Sequence, residues 1–407
     1  MSRLIPIWLL FSTCVLATEP KFQRDVPYAE PNNERQMLDV YAPPEGKGHP
    51  IVFWIHGGGW QAGDKTDVKL KPQTFVDKGF VFVSTNYRFV PQVTIDVMAG
   101  DVAKAIRWTY DHAEDFGGDR ETFFIMGHSA GAQLAALLCT DERYLEAEDL
   151  SLSIVKGCVP VDGDTYDVPM QIATVEQRRK DIYRMKFGDE EQQKNLSPVT
   201  HVGKDKEIPP FLILHVAGHP ETQGQSHRLV NALKEADIPA KAYPAEGKNH
   251  VSLNDELGKP DDQPTAALFS FLNRVLKESA VKAAVKKDRK LYEGTWRAVG
   301  LTVDGNKAAD ADARKITVVN DANGSWTLHS EGKKVGEGTS TIDPTQTPKT
   351  IDLTTTDDAG NVKTYLGIYE IFETTRRLCF APEGKPRPTE FSSAAGTDVI
   401  LVEFERI

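Results

Sequence analysis

The sequence predicts an α/β fold, a mostly parallel sheet with helices on both faces, followed by a smaller all-β, barrel-like domain. Three observations predict it. From Ile51 onward, short apolar runs alternate with amphipathic segments, the pattern of strands joined by helical crossovers. The apolar runs show almost no polar alternation, as strands do when both sheet faces are covered. From Leu291 to Ile407 the character changes to Thr, Val, Gly and Asp, with short alternating runs between turn residues.

The strands of the first part are IVFWI (51–55), FVFVS (80–84), TFFIM (122–126), SIVKGCVPV (153–161) and FLILHV (211–216). Between them, Asp101 to Phe116 places Val102, Ala105, Ile106, Thr109, Ala113 and Phe116 at three-and-four spacing, one buried helical face. Residues 263–279 read as the last helix of the unit, with Pro264 near its start. AVKAAVKKDRK (280–290) is Lys-rich and lacks large apolar residues, so it reads as the solvated end of that helix or a linker. The domain plan is therefore a leader at 1–17, an α/β domain at 18–279, a linker at 280–290 and an antiparallel β domain at 291–407.

Length and charge narrow the function classes. A chain of 407 residues with 40% apolar content is long enough for one large core and a second domain. A net charge of -11 and a pI near 5.5 oppose nucleic acid or an anionic membrane surface as partner, because both repel an acidic protein at long range. The first residues, MSRLIPIWLLFSTCVLATEP, carry one Arg and then about a dozen mostly apolar residues, too few to span a bilayer. This reads as a secretory signal cleaved after Ala17, with small Val15 and Ala17 at the peptidase sites; Cys14 offers a lipoprotein alternative, for which Thr13 is a poor neighbour. The expected location is secreted or periplasmic, with no membrane span once the signal is removed. Cys139, Cys158 and Cys379 then remain, without a CxxC or His-rich spacing, and read as buried small apolar residues rather than a zinc site or a disulfide framework.

The chemistry concentrates in two glycine-rich corners. Gly127-His128-Ser129-Ala130-Gly131 follows a predicted strand and opens a predicted helix, the context in which GxSxG raises a serine hydroxyl above a sheet edge with the next backbone N–H aimed the same way. His56-Gly57-Gly58-Gly59-Trp60 follows the strand IVFWI, and its glycines let backbone N–H groups approach a substrate oxygen. The pattern GxxxxGK[ST] of a phosphate-cradling loop is absent. The oxyanion donors are therefore assigned to Gly58, Gly59 and Ala130. A serine hydroxyl needs a base, and of ten histidines the candidate is His250 in GKNHVSLND, between the predicted strand AKAYP and the last helix; His215 lies in an apolar strand and His201 in a loop before it. The group that orients the imidazole is expected in the loop after FLILHV, where Glu221 is the one carboxylate, with Asp162 and Asp164 after the preceding strand as the other acids. Segments 60–75 and 162–210 are expected to include cap elements, with Trp60, Tyr166 and Phe187 as pocket liners or core.

With these residues in hand, the segment from about 27 to 279 resembles the serine-esterase branch of the α/β-hydrolases. The likeness is to bacterial secreted carboxylesterases grouped with bifunctional feruloyl and acetyl-xylan esterases, and more distantly to hormone-sensitive-lipase-like enzymes and kynurenine formamidases. It rests on HGGGWQAGDK (56–65), NYR (86–88), GHSAGAQLAAL (127–137), SPVTH (197–201) and NHVSLNDELG (249–258). The resemblance implies Ser129 as nucleophile, His250 as base and the 57–59 loop as oxyanion site, acting without a cofactor or metal on a small-molecule or polysaccharide-linked ester. Such enzymes usually carry Asp in the loop after the strand corresponding to FLILHV, whereas here Gly218, His219 and Glu221 occupy it. Other readings of the same site are an amidase or formamidase and a catalytically weak binding module. Residues 291–407, with LYEGTWRAVG and RLCFAPEGKPRPTEFSS, resemble a small lipocalin-like β module, which implies a closed or nearly closed antiparallel sheet whose interior is core or admits a small ligand.

Overall fold

The computed structural model describes residues 21–31, 33–356 and 360–407. The expected leader at 1–17, with Cys14 and the cleavage site after Ala17, lies outside them. The chain divides into two compact units, one ending at Val275 and the other comprising Leu276–Ile407.

The first unit opens with two strands, β1 (Lys21–Pro27) and β2 (Met37–Ala42), followed by β3 (His49–Ile55), α1 (Lys71–Asp77), β4 (Val81–Thr85) and α2 (Ile95–His112). Then come β5 (Gly118–His128), α3 (Ala130–Thr140), α4 (Arg143–Glu146) and β6 (Val155–Val161). Three helices, α5 (Val168–Thr174), α6 (Gln177–Phe187) and α7 (Glu190–Asn195), separate β6 from β7 (Phe211–Val216). The unit continues through α8 (Pro220–Glu235), β8 (Ala240–Ala245), α9 (His250–Asp255) and α10 (Gln263–Tyr292), whose last turns belong to the second unit. The sheet order is β1-β2-β4-β3-β5-β6-β7-β8, with β1 and β2 antiparallel and the rest parallel. The apolar runs read as strands coincide with β3 to β7, and β7 matches FLILHV residue for residue.

Both sheet faces are covered, which is why those strands carry no polar alternation. On one face Ile51, Phe53 and Ile55 of β3 pack in a cluster with Met98, Val102 and Ile106 of α2 and Leu134 and Leu138 of α3. On the other, Phe75 of α1 stacks on Phe82 of β4 with ring centroids 5.4 Å apart and meets Phe269 of α10 at 5.1 Å. Strand order reverses at β3, which has β4 on one side and β5 on the other; in open parallel sheets such a switch point opens a crevice at the carboxyl ends of the strands.

The second unit is a closed barrel of eight antiparallel strands: β9 (Gly294–Val303), then, past the two-residue edge strand β10 (Asn306–Lys307) and α11 (Asp310–Ala313), β11 (Ile316–Asn320), β12 (Ser325–Ser330), β13 (Lys333–Asp343), β14 (Lys349–Thr356), β15 (Val362–Ile371), β16 (Thr375–Phe380) and β17 (Ile400–Arg406). Closure comes from β9, which pairs with β11 on one side and β17 on the other. The alternating Thr/Val pattern is the signature of this closure, one residue in two turning inward, as Trp296 and Ala298 do on β9.

Residues 280–290, read as the solvated end of the last helix or a linker, are helix throughout, because α10 runs unbroken to Tyr292. The stretch holds no Gly or Pro, and its Ala and Lys residues are strong helix formers, so the helix persists without a continuous apolar stripe. Among the described residues no helix is long and apolar enough to cross a membrane. Cys139, Cys158 and Cys379 are free and buried.

Candidate active site

The site grows from the register of two adjacent strands. Ile55 at the end of β3 pairs with Gly127 on β5, so the chain leaves both strands at the same level, and His56-Gly57 comes to lie beside His128-Ser129. Ser129 stands between strand and helix with φ 56° and ψ −118°, a strained corner for a non-glycine residue. Its N–H is held by the Val161 carbonyl at 2.9 Å, which fixes the corner to the end of β6. The tight turn depends on Gly131, where a Cβ would meet the His56 carbonyl oxygen at 2.5 Å and strike that of Ile55. The Ser129 side is open, with the residue half-buried.

The glycine loop is clamped from several sides. A Cβ on Gly57 would touch the Ser129 Cβ at 3.1 Å, so the loop lies directly against the serine. Gly58 has φ 119°, and a Cβ there would land on the Ala62 carbonyl. Gln61 and Ala62 both donate backbone hydrogen bonds to the Gly58 carbonyl, at 3.2 and 3.1 Å. Beneath, His56 stacks on Tyr87 at 4.5 Å, accepts the Tyr87 hydroxyl on its carbonyl at 2.8 Å and meets Arg35 at 3.3 Å. Burial pushes the His56 imidazole down to about 4, so it stays neutral and structural. Arg35 in turn pairs with Asp64 at 3.2 Å. From above, α6 sets Lys186 Nζ on the Gly59 carbonyl at 2.8 Å. Among the described residues, the N–H groups of Gly58, Gly59 and Ala130 donate to no protein acceptor.

His250 opens α9, whose N-cap Asn249 forms a capping box with Ser252. Wholly buried Lys71 donates to the Asn254 carbonyl at 2.7 Å and to its side-chain oxygen at 3.0 Å, pinning α9. The His250 carbonyl contacts His128 Nε2 at 3.0 Å, and the two rings lie 4.4 Å apart, which brings the imidazole beside the serine corner. Burial, then the neighbouring His250, pushes the His128 ring down to about 3, so this contact is made by a neutral ring. Among the described residues the Ser129 hydroxyl makes no hydrogen bond to His250, whose Nδ1 is engaged by Asp162.

His250 Nδ1 lies 2.7 Å from Asp162 Oδ2. Asp162 follows β6 directly at φ 50°, is 2% exposed, and takes the Val216 N–H on its other oxygen at 2.9 Å. Burial pushes this carboxyl up, but the His250 contact and the Val216 N–H outweigh it and hold it below its ordinary value.

Glu221 is corrected: it does not meet His250. It belongs to the first turn of α8 rather than to a loop, and Arg179 of α6 captures it, Nη1 lying 2.6 Å from one carboxylate oxygen and 2.5 Å from the other. Asp164, the other acid in reserve, accepts from Tyr183 Oη at 2.5 Å and from the same arginine at 3.1 Å. The rival histidines are engaged elsewhere: His201 Nε2 contacts the Asn195 carbonyl at 2.7 Å, and buried His215 contacts the Val216 carbonyl at 3.1 Å. Trp60, Tyr166 and Phe187 are buried, and Trp60 packs edge-on against Phe187 at 4.9 Å while its Nε1 donates to Gln133 at 3.1 Å, so these aromatics belong to the core of the unit. A cavity of about 220 Å³ runs along Gly57, Gly58 and His128 but is not lined by Ser129 or His250.

A largely parallel eight-stranded sheet with two antiparallel strands at its start, helices on both faces and a strained serine at the end of β5 has the fold of the α/β-hydrolases. Residues 38–233 match the family model described as BD-FAE. The chain is 29% identical over 242 residues to Esterase LipQ of Mycobacterium tuberculosis, covering 54% of each protein. It is 28% identical over 256 residues to kynurenine formamidase of Danio rerio, covering 61% of this chain and 82% of that one. Among solved structures, esterase B from Lactobacillus rhamnosis superposes with a TM-score of 0.55 at 19% identity, over 65% of this chain and 88% of the other, and so shares the fold. A truncated carbohydrate esterase from gut microbiota does so with a TM-score of 0.50 at 23% identity, over 64% and 97%. The chain spans about half the length of the first curated relatives it matches, 54%, 55% and 52% of them.

Proposed function

We propose that the protein is a serine hydrolase of carboxylic esters working through an acyl-enzyme, with Ser129 as nucleophile, His250 as base and Asp162 as the acid. The observation that carries this reading is the 2.7 Å contact between His250 Nδ1 and Asp162 beside the strained Ser129 corner. Because the Asp162 carboxyl is held ionised, it only accepts, so Nδ1 carries the imidazole proton and Nε2 keeps its lone pair. That is the tautomer needed to take a proton from a serine hydroxyl. The Ser129 oxygen then bonds to the ester carbonyl carbon, the carbonyl oxygen becomes an oxyanion, and His250 passes the proton to the departing alkoxide. Water repeats the sequence on the acyl-serine and releases the acid. The unengaged N–H groups of Gly58, Gly59 and Ala130 are the donors for the oxyanion, and one such donor is worth about 3 kcal/mol in the transition state.

The substrate is a small-molecule or polysaccharide-linked ester, acetyl or feruloyl, met outside the cytoplasm after removal of the leader. A small amide is the second reading, favoured by the 82% of the zebrafish formamidase that the chain covers. Turnover of p-nitrophenyl acetate by the parent and its loss in Ser129→Ala test the reaction; unchanged turnover in the variant refutes it. N-formylkynurenine and methyl ferulate, run side by side, separate amide from ester.

A further inference from the structure

The barrel of the second unit encloses a cavity of about 440 Å³, within the roughly 300–1,000 Å³ typical of small-ligand sites. Leu301, Val318, Leu328, Leu353, Leu378 and Val402 supply much of its wall. Three polar side chains of the same wall carry atoms with no hydrogen-bond partner: Arg376 at Nε and Nη1, Tyr292 at its hydroxyl and Asn320 at Nδ2.

Arg376 is the decisive one. It is 3% exposed, and its guanidinium sits among the rings of Tyr292, Trp296 and Phe404, at 5.1, 4.7 and 4.6 Å from their centroids. The aromatic faces attract a cation, but among the described residues no carboxylate pairs with it. The buried carboxylate Asp288 is already occupied by Lys349 at 2.8 Å and the Tyr369 hydroxyl at 2.6 Å. Burial pushes the guanidinium down to about 10, which leaves it charged at neutral pH. A buried cation with N–H groups unmet costs stability unless an anion completes it, and a barrel needing only a core would place an apolar side chain here.

We propose that this barrel binds an amphipathic carboxylic acid, the carboxylate on Arg376 beside the Tyr292 hydroxyl and the apolar body along the Leu/Val wall. The site is independent of the hydrolase reading. The test is isothermal titration of the full-length protein with octanoate, with 1-octanol as the neutral control of equal chain length. Saturable one-to-one binding of octanoate, at least ten-fold tighter than octanol, is expected. Arg376→Met removes that preference, and Leu353→Trp, which keeps the arginine but fills the cavity, removes binding altogether. Where Arg376→Met does not fold, Leu353→Trp decides. Absence of octanoate binding, equal binding of octanol by the parent, a preference for octanoate that survives in Arg376→Met, or octanoate binding that survives in Leu353→Trp overturns the proposal, the last placing the ligand outside the barrel.

Discussion

The acid of the site is open to a decisive perturbation. In Asp162→Asn, the amide keeps the shape of the carboxyl and the Val216 N–H bond, but its NH2 can also face His250 Nδ1 as a donor. The imidazole is then driven to carry its proton on Nε2, where it cannot accept one from Ser129. Replacing a triad carboxylate in this way costs ~10⁴-fold in kcat, or about 5.4 kcal/mol at 1.36 kcal/mol per decade. Glu221→Gln is the matched control. It weakens a partly exposed ion pair to Arg179, whose two side chains are 36% and 29% exposed, so it lowers stability by about 1 kcal/mol or less and leaves kcat within about ten-fold of the parent. Steady-state hydrolysis of p-nitrophenyl acetate on both variants, with folding checked by thermal denaturation, reads the contrast. A ten-thousand-fold loss in Glu221→Gln with Asp162→Asn near the parent would show that the acid has been misassigned.

Other outcomes follow from the loop and its supports. Gly58→Ala places a Cβ on the Ala62 carbonyl at φ 119° and displaces an oxyanion donor, so kcat falls ~10²–10³-fold; Gly59→Ala, at φ 60° with Lys186 Nζ at 3.5 Å as its nearest neighbour, costs about 1 kcal/mol of strain and stays active, and equal losses in the two would count against the loop geometry. His56 and His128 protonate in the unfolded chain near 6.5 but in the fold only near 4 and 3. The unfolded state therefore binds more protons below pH 6.5, and stability falls with pH at ~1.4 kcal/mol per unit for each ring, about 2 kcal/mol each between pH 6.5 and 5. Denaturant midpoints across that range check this, and a flat profile contradicts it; His128→Gln should lessen the slope.

The parallel strands, the serine corner and the glycine loop were legible because each is a local rule: burial on both faces removes alternation, and small residues permit sharp corners. The carboxylate that meets His250, Asp162, was only one of three that the sequence offered, because the choice depends on which of them the fold turns toward that ring. Glu221 looked available only while Arg179, 42 residues away in another helix, went unconsidered. The signal that pointed elsewhere was VPVDGD, an Asp set immediately after the apolar run CVPV, where a charge is buried unless something meets it. Whether 280–290 continued the last helix or formed a linker stayed open for the opposite reason: without an apolar stripe, periodicity is silent and only propensity speaks. Arg376 reads as an ordinary charged residue on an alternating strand until closure of the barrel shows which face is inside.

The most direct measurement is peptide mapping by mass spectrometry after treatment with a fluorophosphonate, on the parent and on His250→Ala. The account expects a single adduct on the peptide bearing Ser129 in the parent and labelling slowed by orders of magnitude in the variant. No adduct, an adduct on another serine, or equal labelling rates in the two proteins would contradict it.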